Sequence, residues 1–208
     1  MRLGVMTAMV GVVLAGLAGA EPMDAKSAKK QLFSPKGLRL EAADVSDVAP
    51  DVMAQINAVV GDFAHAKKLK LLERSGYSYY GALAVPTDRT LVPEDLSFVT
   101  KLHSRAAAGA AARAACQAAT SSNACQVVAY LVPKSFQARD LTLSFEATDR
   151  FRKTWTKDAG PKYLAMSPAS DAWVIAKGVG ADVTALERCN ARAVQNGPAD
   201  CIIVIAEE

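Results

Sequence analysis

Two stretches of this chain carry the same parts in the same order. In residues 104–133 an alanine-rich segment leads to Cys116, a short polar loop follows, and Cys125 opens the apolar run Gln126-Val127-Val128-Ala129. In residues 178–206 a segment with Ala181, Ala185 and Leu186 leads to Cys189, and Cys201 opens Ile202-Ile203-Val204-Ile205. The match extends upstream, where Leu83-Ala84-Val85-Pro86 is echoed by Leu164-Ala165-Met166-Ser167-Pro168, and Asp88 in the first turn by Asp171 in the second. The copies lie about 75–80 residues apart, longer than solenoid periods, and two copies do not make an array. They read as two pseudo-symmetric units, each a hairpin, a helix and a strand.

This arrangement restricts the cysteines. Four cysteines allow three pairings, and the two-unit pattern selects Cys116–Cys125 and Cys189–Cys201. Each bridge closes a short loop, worth about 3 kcal/mol by chain entropy. Disulfides persist in oxidising compartments. The competing use of four thiolates, a zinc site, needs closer ligand spacing than C-x8-C and C-x11-C provide.

The physics of one unit sets the expected fold. A hairpin plus one further strand makes a three-stranded sheet with an apolar face to cover, and the helix supplies the cover. The fold class is therefore α+β, with mainly antiparallel sheet, helices on one side and two disulfides. Edges of the two units are expected to join into one larger sheet. Residues 105–119 contain ten alanines, which favour helix and leave little side chain to hold it off a sheet. Ser104 precedes them as an N-cap.

The N-terminus reads as a signal peptide. Arg2 is a short positive region, Val5 to Leu17 is apolar, and Ala18-Gly19-Ala20 fits a small-residue cleavage site. The apolar run is shorter than the ~20 residues of a membrane-spanning helix. Cleavage after Ala20 leaves 188 of the 208 residues, with no transmembrane segment, in the periplasm or outside the cell. Residues 21–37 are expected as a mobile leader, with Leu32 and Phe33 as the residues to dock onto the body. Residues 38–208 are expected as one domain, built of unit 1 (77–133) and unit 2 (162–206). The formal net charge of +3 gives no electrostatic reason for nucleic acid as a partner.

Local patterns fill in the elements. Leu38 to Ala42 alternates like an edge strand. Val52, Ile56, Val59, Phe63 and Ala66 mark one face of a helix over residues 51–66, which the charged run from Lys67 to Arg74 ends. YSYYGALAV, residues 77–85, reads as a strand, with Thr90-Leu91-Val92 as the hairpin's return. Residues 93–102 form a connection with room for one helical turn. Leu141 to Phe145 starts as a strand and passes into a helix carrying Ala147, Phe151 and Trp155, broken at Asp158-Ala159-Gly160-Pro161.

YYGALAVPTD, His103-Ser104, the Cys116 region, Val132-Pro133-Lys134 and LSFEATDRF carry a resemblance. On these motifs residues 26–206 are similar to a set of small exported proteobacterial proteins, and the Cys-pair units resemble a family of secreted bacterial domains of unknown function. The resemblance implies export and this α+β unit, and brings no active site with it. Proteins of this likeness are sometimes labelled 5-aminolevulinate synthase. That activity needs pyridoxal phosphate, held by a glycine-rich phosphate cradle and a Schiff-base lysine. No glycine-rich turn between strand and helix is present to hold the phosphate, so no cofactor is expected.

Catalytic patterns are scarce. There is no G-x-S-x-G elbow, H-E-x-x-H or P-loop, and Ser27-Ala28-Lys29-Lys30 is an S-x-x-K match within the leader. His65 is expected on a helix surface. His103 is expected in a structural hydrogen bond, with a catalytic role as the alternative. Tyr79, Tyr80, His103 and Trp173 are the candidate surface or ligand residues, although aromatics on strands more often pack in the core or pair across strands. The expected function is a non-catalytic, disulfide-stapled binding or interaction module with an envelope or protein partner. An exported enzyme using His103 and nearby acids is the alternative.

Overall fold

The computed structural model describes residues 21–157 and 159–208. The signal-peptide reading of residues 1–20, and the part of the helix break that falls on Asp158, lie outside the described residues.

The chain has six α-helices and seven strands among the described residues: α1 (Ala25–Gln31), β1 (Leu38–Ala42), α2 (Pro50–Ala64), α3 (Ala66–Arg74), β2 (Gly81–Pro86), β3 (Ser97–Val99), α4 (Arg105–Thr120), β4 (Cys125–Pro133), α5 (Phe145–Thr154), β5 (Lys162–Met166), β6 (Trp173–Lys177), α6 (Ala181–Ala193) and β7 (Ile202–Glu207). The strands form two sheets, ordered β1-β4-β2-β3 and β6-β5-β7. Every pairing between these strands is antiparallel. The fold is α+β, and its two disulfides are Cys116–Cys125 and Cys189–Cys201, each with a Cα separation of 6.0 Å.

Both units follow one plan. β2 sits between β3 and β4 as β5 sits between β6 and β7. The register shifts at Leu83/Ala84 in the first sheet and at Leu164/Ala165 in the second. Cys125 and Cys201 fall at the start of β4 and just before β7, and each is tied to the preceding helix.

Strand alternation divides the core. Ala82 and Ala84 pack with Ala108, Ala112 and Cys116 of α4, while Leu83 and Val85 pack with Val52 and Ile56 of α2. In the second sheet Ala165, Val174 and Ala176 meet Ala181, Ala185 and Cys189, while Leu164 and Ile205 meet Phe151, Trp155 and Ala28. The alanine-rich helices thus cover equivalent faces. The opposite faces are also packed, by α2 in one case and by α5 with α1 in the other. Close approach is visible at Gly109, where an added Cβ would lie 2.9 Å from the Tyr130 hydroxyl.

Several expectations are corrected. The two sheets do not join, because Leu141, Leu143, Phe151 and Trp155 pack against the second sheet as a separate cluster. Residues 21–37 are not a mobile leader. Asp24 caps α1 by accepting from the Lys26 and Ser27 amides, and Ala28, Leu32 and Phe33 are buried. Arg152 donates to the Leu32 carbonyl at 2.8 Å, and Met23 bridges to Ile205 of β7. The charged run after residue 66 does not end the helical region: after a break at His65 it forms α3, with no buried residue.

The hairpin's return is β3, not residues 90–92. The Leu91 amide is drawn to Gln55 Oε1 at 2.8 Å, and Pro93–Asp95 forms a 3-10 turn first. The segment 141–144 lacks a strand partner, since its Ser144 amide donates to the His103 ring rather than to a neighbouring backbone. Residues 77–80 precede β2 rather than belonging to it.

Candidate functional site

His103 lies at the seam between the units and is 1% exposed. Its Nδ1 accepts from the Ser144 amide at 3.0 Å, and its Nε2–H donates to the Ala172 carbonyl at 3.0 Å. The ring is therefore the neutral Nε2–H tautomer. Burial is the largest influence on its pKa and lowers it to about 4, against smaller opposing effects from the Ala172 carbonyl and Asp171. Neither nitrogen is left to accept a proton from a substrate, which a general base must do.

His103 makes the structural hydrogen bonds expected of it. Tyr79 and Tyr80, like His103, are core residues, each about 1% exposed, and not surface groups. Their rings pack edge-on at a 5.5 Å centroid distance, and each meets a phenylalanine, Phe145 for Tyr79 and Phe136 for Tyr80. Burial pushes Tyr79 up to about 12, with Thr148 offsetting part of the rise, and raises Tyr80 further. Only Trp173 is half-exposed, on a shallow cleft with Arg192 and Asn196; Arg192 donates to its carbonyl at 2.9 Å. Asp88 and Asp171 do not come together. Asp88 accepts from Ser122, which holds its carboxyl below the usual range, and Asp171 faces Asn196.

The structure instead opens a cleft of about 410 Å³ beside Tyr79. Its walls come from the turn before β1, the end of α3, residues 77–79 and the first turn of α5. Leu38, Tyr77 and Phe145 give it an apolar lining. Tyr77 is held in place by stacking on Phe98 at 5.2 Å.

Three polar groups define its chemistry. Ser78 is 6% exposed, lines the cleft, and its hydroxyl has no hydrogen-bond partner. A buried unpaired hydroxyl costs on the order of 1–3 kcal/mol. Lys101 sits at φ +73°, a left-handed backbone that a lysine adopts at a cost of about 1–2 kcal/mol. Its ammonium reaches Glu146 Oε1 at 3.7 Å, with both side chains well exposed. Glu146 also occupies the first turn of α5, where a carboxylate is favoured by the helix dipole. Glu73 and Lys36 lie on the other walls.

A serine nucleophile needs a base within hydrogen-bond reach, and Ser78 has none. Sequence reasoning missed Ser78, Lys101 and Glu146, because neither the orphaned hydroxyl nor the left-handed lysine leaves a pattern in the residue order. All four cysteines are in disulfides, so none supplies a thiol. Among the described residues no helix is long and apolar enough to cross a membrane. In comparison with known proteins, no family model, curated sequence or solved structure matches the chain.

Proposed function

We propose that this chain is an exported, disulfide-stapled, non-catalytic module that binds a small amphipathic ligand in the Ser78–Lys101–Glu146 cleft. The observation that carries this reading is the Ser78 hydroxyl, buried without a partner on a residue that lines a cleft with apolar walls and charged residues around them. Buried polar groups are paired in the great majority of cases. An orphaned hydroxyl on a residue that lines a cavity of ligand size needs only a small side-chain rotation to meet a bound molecule's polar atom.

Two disulfides fit an oxidising compartment, and with them export through the signal peptide at residues 1–20. The alternative, an enzyme built on His103, has nothing in its favour, since both ring nitrogens are engaged inside the seam. A periplasmic or secreted location is tested by the mass of the exported product, which should begin at Glu21 and contain no free thiol.

Binding is tested by amide chemical shifts of the oxidised protein titrated with indole-3-acetate, decanoate and the dipeptide Leu-Phe. Saturable shifts at residues 77–79, 101 and 145–146 are expected for at least one probe. If none of the three moves these amides, the cleft is not a binding site.

A further inference from the structure

The cleft's charges narrow the ligand class, and this step rests on the binding reading above. Its rim presents two cations, Lys36 and Lys101, and two anions, Glu73 and Glu146. A ligand with a single charged head would satisfy one sign and face the other uncompensated. Like-charge juxtaposition is a strong means of rejecting a partner. A molecule carrying both signs, close together, meets the rim on equal terms.

The Lys101–Glu146 pair shows how such a molecule is taken up. The two groups are 3.7 Å apart and solvent-exposed, 49% and 39% respectively. Exposed pairs of this kind contribute little and separate at low cost. A zwitterion inserted between them replaces one loose ion pair by two, its carboxylate on Lys101 and its ammonium on Glu146. The backbone of Lys101 is held in the left-handed region by the fold, which fixes where the side chain leaves the chain. Strain of this sort persists where its surroundings enforce it and recurs at ligand clamps.

The rest of the cleft fits the remainder of such a ligand. Tyr77, Leu38 and Phe145 offer an apolar wall for a side chain. A small rotation of the buried Ser78 side chain would bring its hydroxyl, able both to donate and to accept, to a ligand amide. A volume of about 410 Å³ falls at the small end of ligand sites, which run roughly 300–1,000 Å³.

We propose that the cleft binds short peptides with free termini and a bulky apolar side chain, through Lys101, Glu146 and Ser78.

The test uses the oxidised protein and four probes: Leu-Phe, its N-acetyl form, its C-terminal amide, and decanoate. Affinity is read from amide shifts at residues 78, 101 and 146. Leu-Phe is expected to bind with one-to-one stoichiometry, and each blocked form at least ten-fold more weakly. Lys101→Gly removes the cation and suits the left-handed backbone, so it should melt no lower than the parent yet bind Leu-Phe at least ten-fold more weakly. Ser78→Ala should likewise fold and lose about five-fold in affinity. Binding of blocked peptides or decanoate as tight as that of Leu-Phe would overturn the peptide class while leaving the cleft as a binding site. If no probe shifts these residues, both the peptide class and the binding reading fail.

Discussion

His103 and Ala172 lie 69 residues apart in the chain and are joined by a 3.0 Å hydrogen bond from the imidazole to the carbonyl. With the Ser144 amide on its other nitrogen, the ring ties the end of the first hairpin to the start of α5 and to the turn before β6. Every partner is backbone, and the ring is almost fully buried. It therefore works as a cross-link whose state depends on one proton.

Acid should loosen this cross-link. The folded ring titrates at about 4, below its ordinary value of 6.5. The unfolded chain thus takes up a proton first as pH falls, and stability falls with it. The contribution is complete above pH 6.5 and is lost progressively between 6.5 and 4, amounting to roughly 3 kcal/mol at the acid limit. Urea midpoints measured at pH 7, 5.5 and 4 should show this loss. In His103→Gln this share of the pH dependence should disappear, and an unchanged slope would remove the histidine from the explanation.

Each disulfide should contribute separately. Cys116–Cys125 and Cys189–Cys201 close sequence separations of 9 and 12 residues. Replacing either pair by alanine is expected to cost about 3 kcal/mol. The bridges lie in different units and different core clusters, so their effects should add. Chemical denaturation of the two double variants and the quadruple variant under oxidising conditions measures this.

Two helical glycines should respond in opposite directions to the same change. Around Gly61 in α2 an added Cβ meets nothing within 4 Å, so Gly61→Ala should raise stability by about 0.5–1 kcal/mol. At Gly109 the Cβ would press on the Tyr130 hydroxyl at 2.9 Å and on its ring at 3.2 Å. That ring is held on its face by the Arg105 guanidinium at 4.1 Å. Gly109→Ala should therefore lower stability by roughly 1 kcal/mol, the range of overpacking. Thermal melts of the two variants decide it.

The buried tyrosines should resist both titration and penalty. Neither Tyr79 nor Tyr80 makes a well-formed hydroxyl hydrogen bond. Tyr80→Phe removes an unpaired polar group and should be neutral or stabilising by up to about 1 kcal/mol. Absorbance titration at alkaline pH should show the two buried phenols ionising well above the ordinary tyrosine range or only on unfolding, as burial raises both. Ionisation of Tyr79 and Tyr80 near pH 10 in the folded protein would contradict this burial.

What could be read from residue order follows from how local each signal is. The Ser104 cap, the alanine-rich α4, the strands β4 and β7, and the cysteine pairing each depend on neighbours within about a dozen positions, and the residues there specify them. Matching the two halves supplied the pairing without any geometry. The helix α3 was harder to read, since its charged run lacks a buried face and only the break at His65 separates it from α2.

Tertiary structure decided what depends on distant partners. The apolar alternation of residues 141–145 reads as a strand, yet burial of Leu141 and Leu143 and the bond from Ser144 to His103 give it another use. Residues 21–37 look polar and loose, but Ala28 and Leu32 pack with α5 and β7, and Phe33 packs on Phe136. The two sheets remain separate, and Leu141, Leu143, Phe151 and Trp155 pack against the second. The cleft has the same origin: Ser78, Lys101 and Glu146 meet only once the first unit, its connection and α5 are packed. A hydroxyl's lack of a partner is a property of that packing, and no spacing along the chain encodes it.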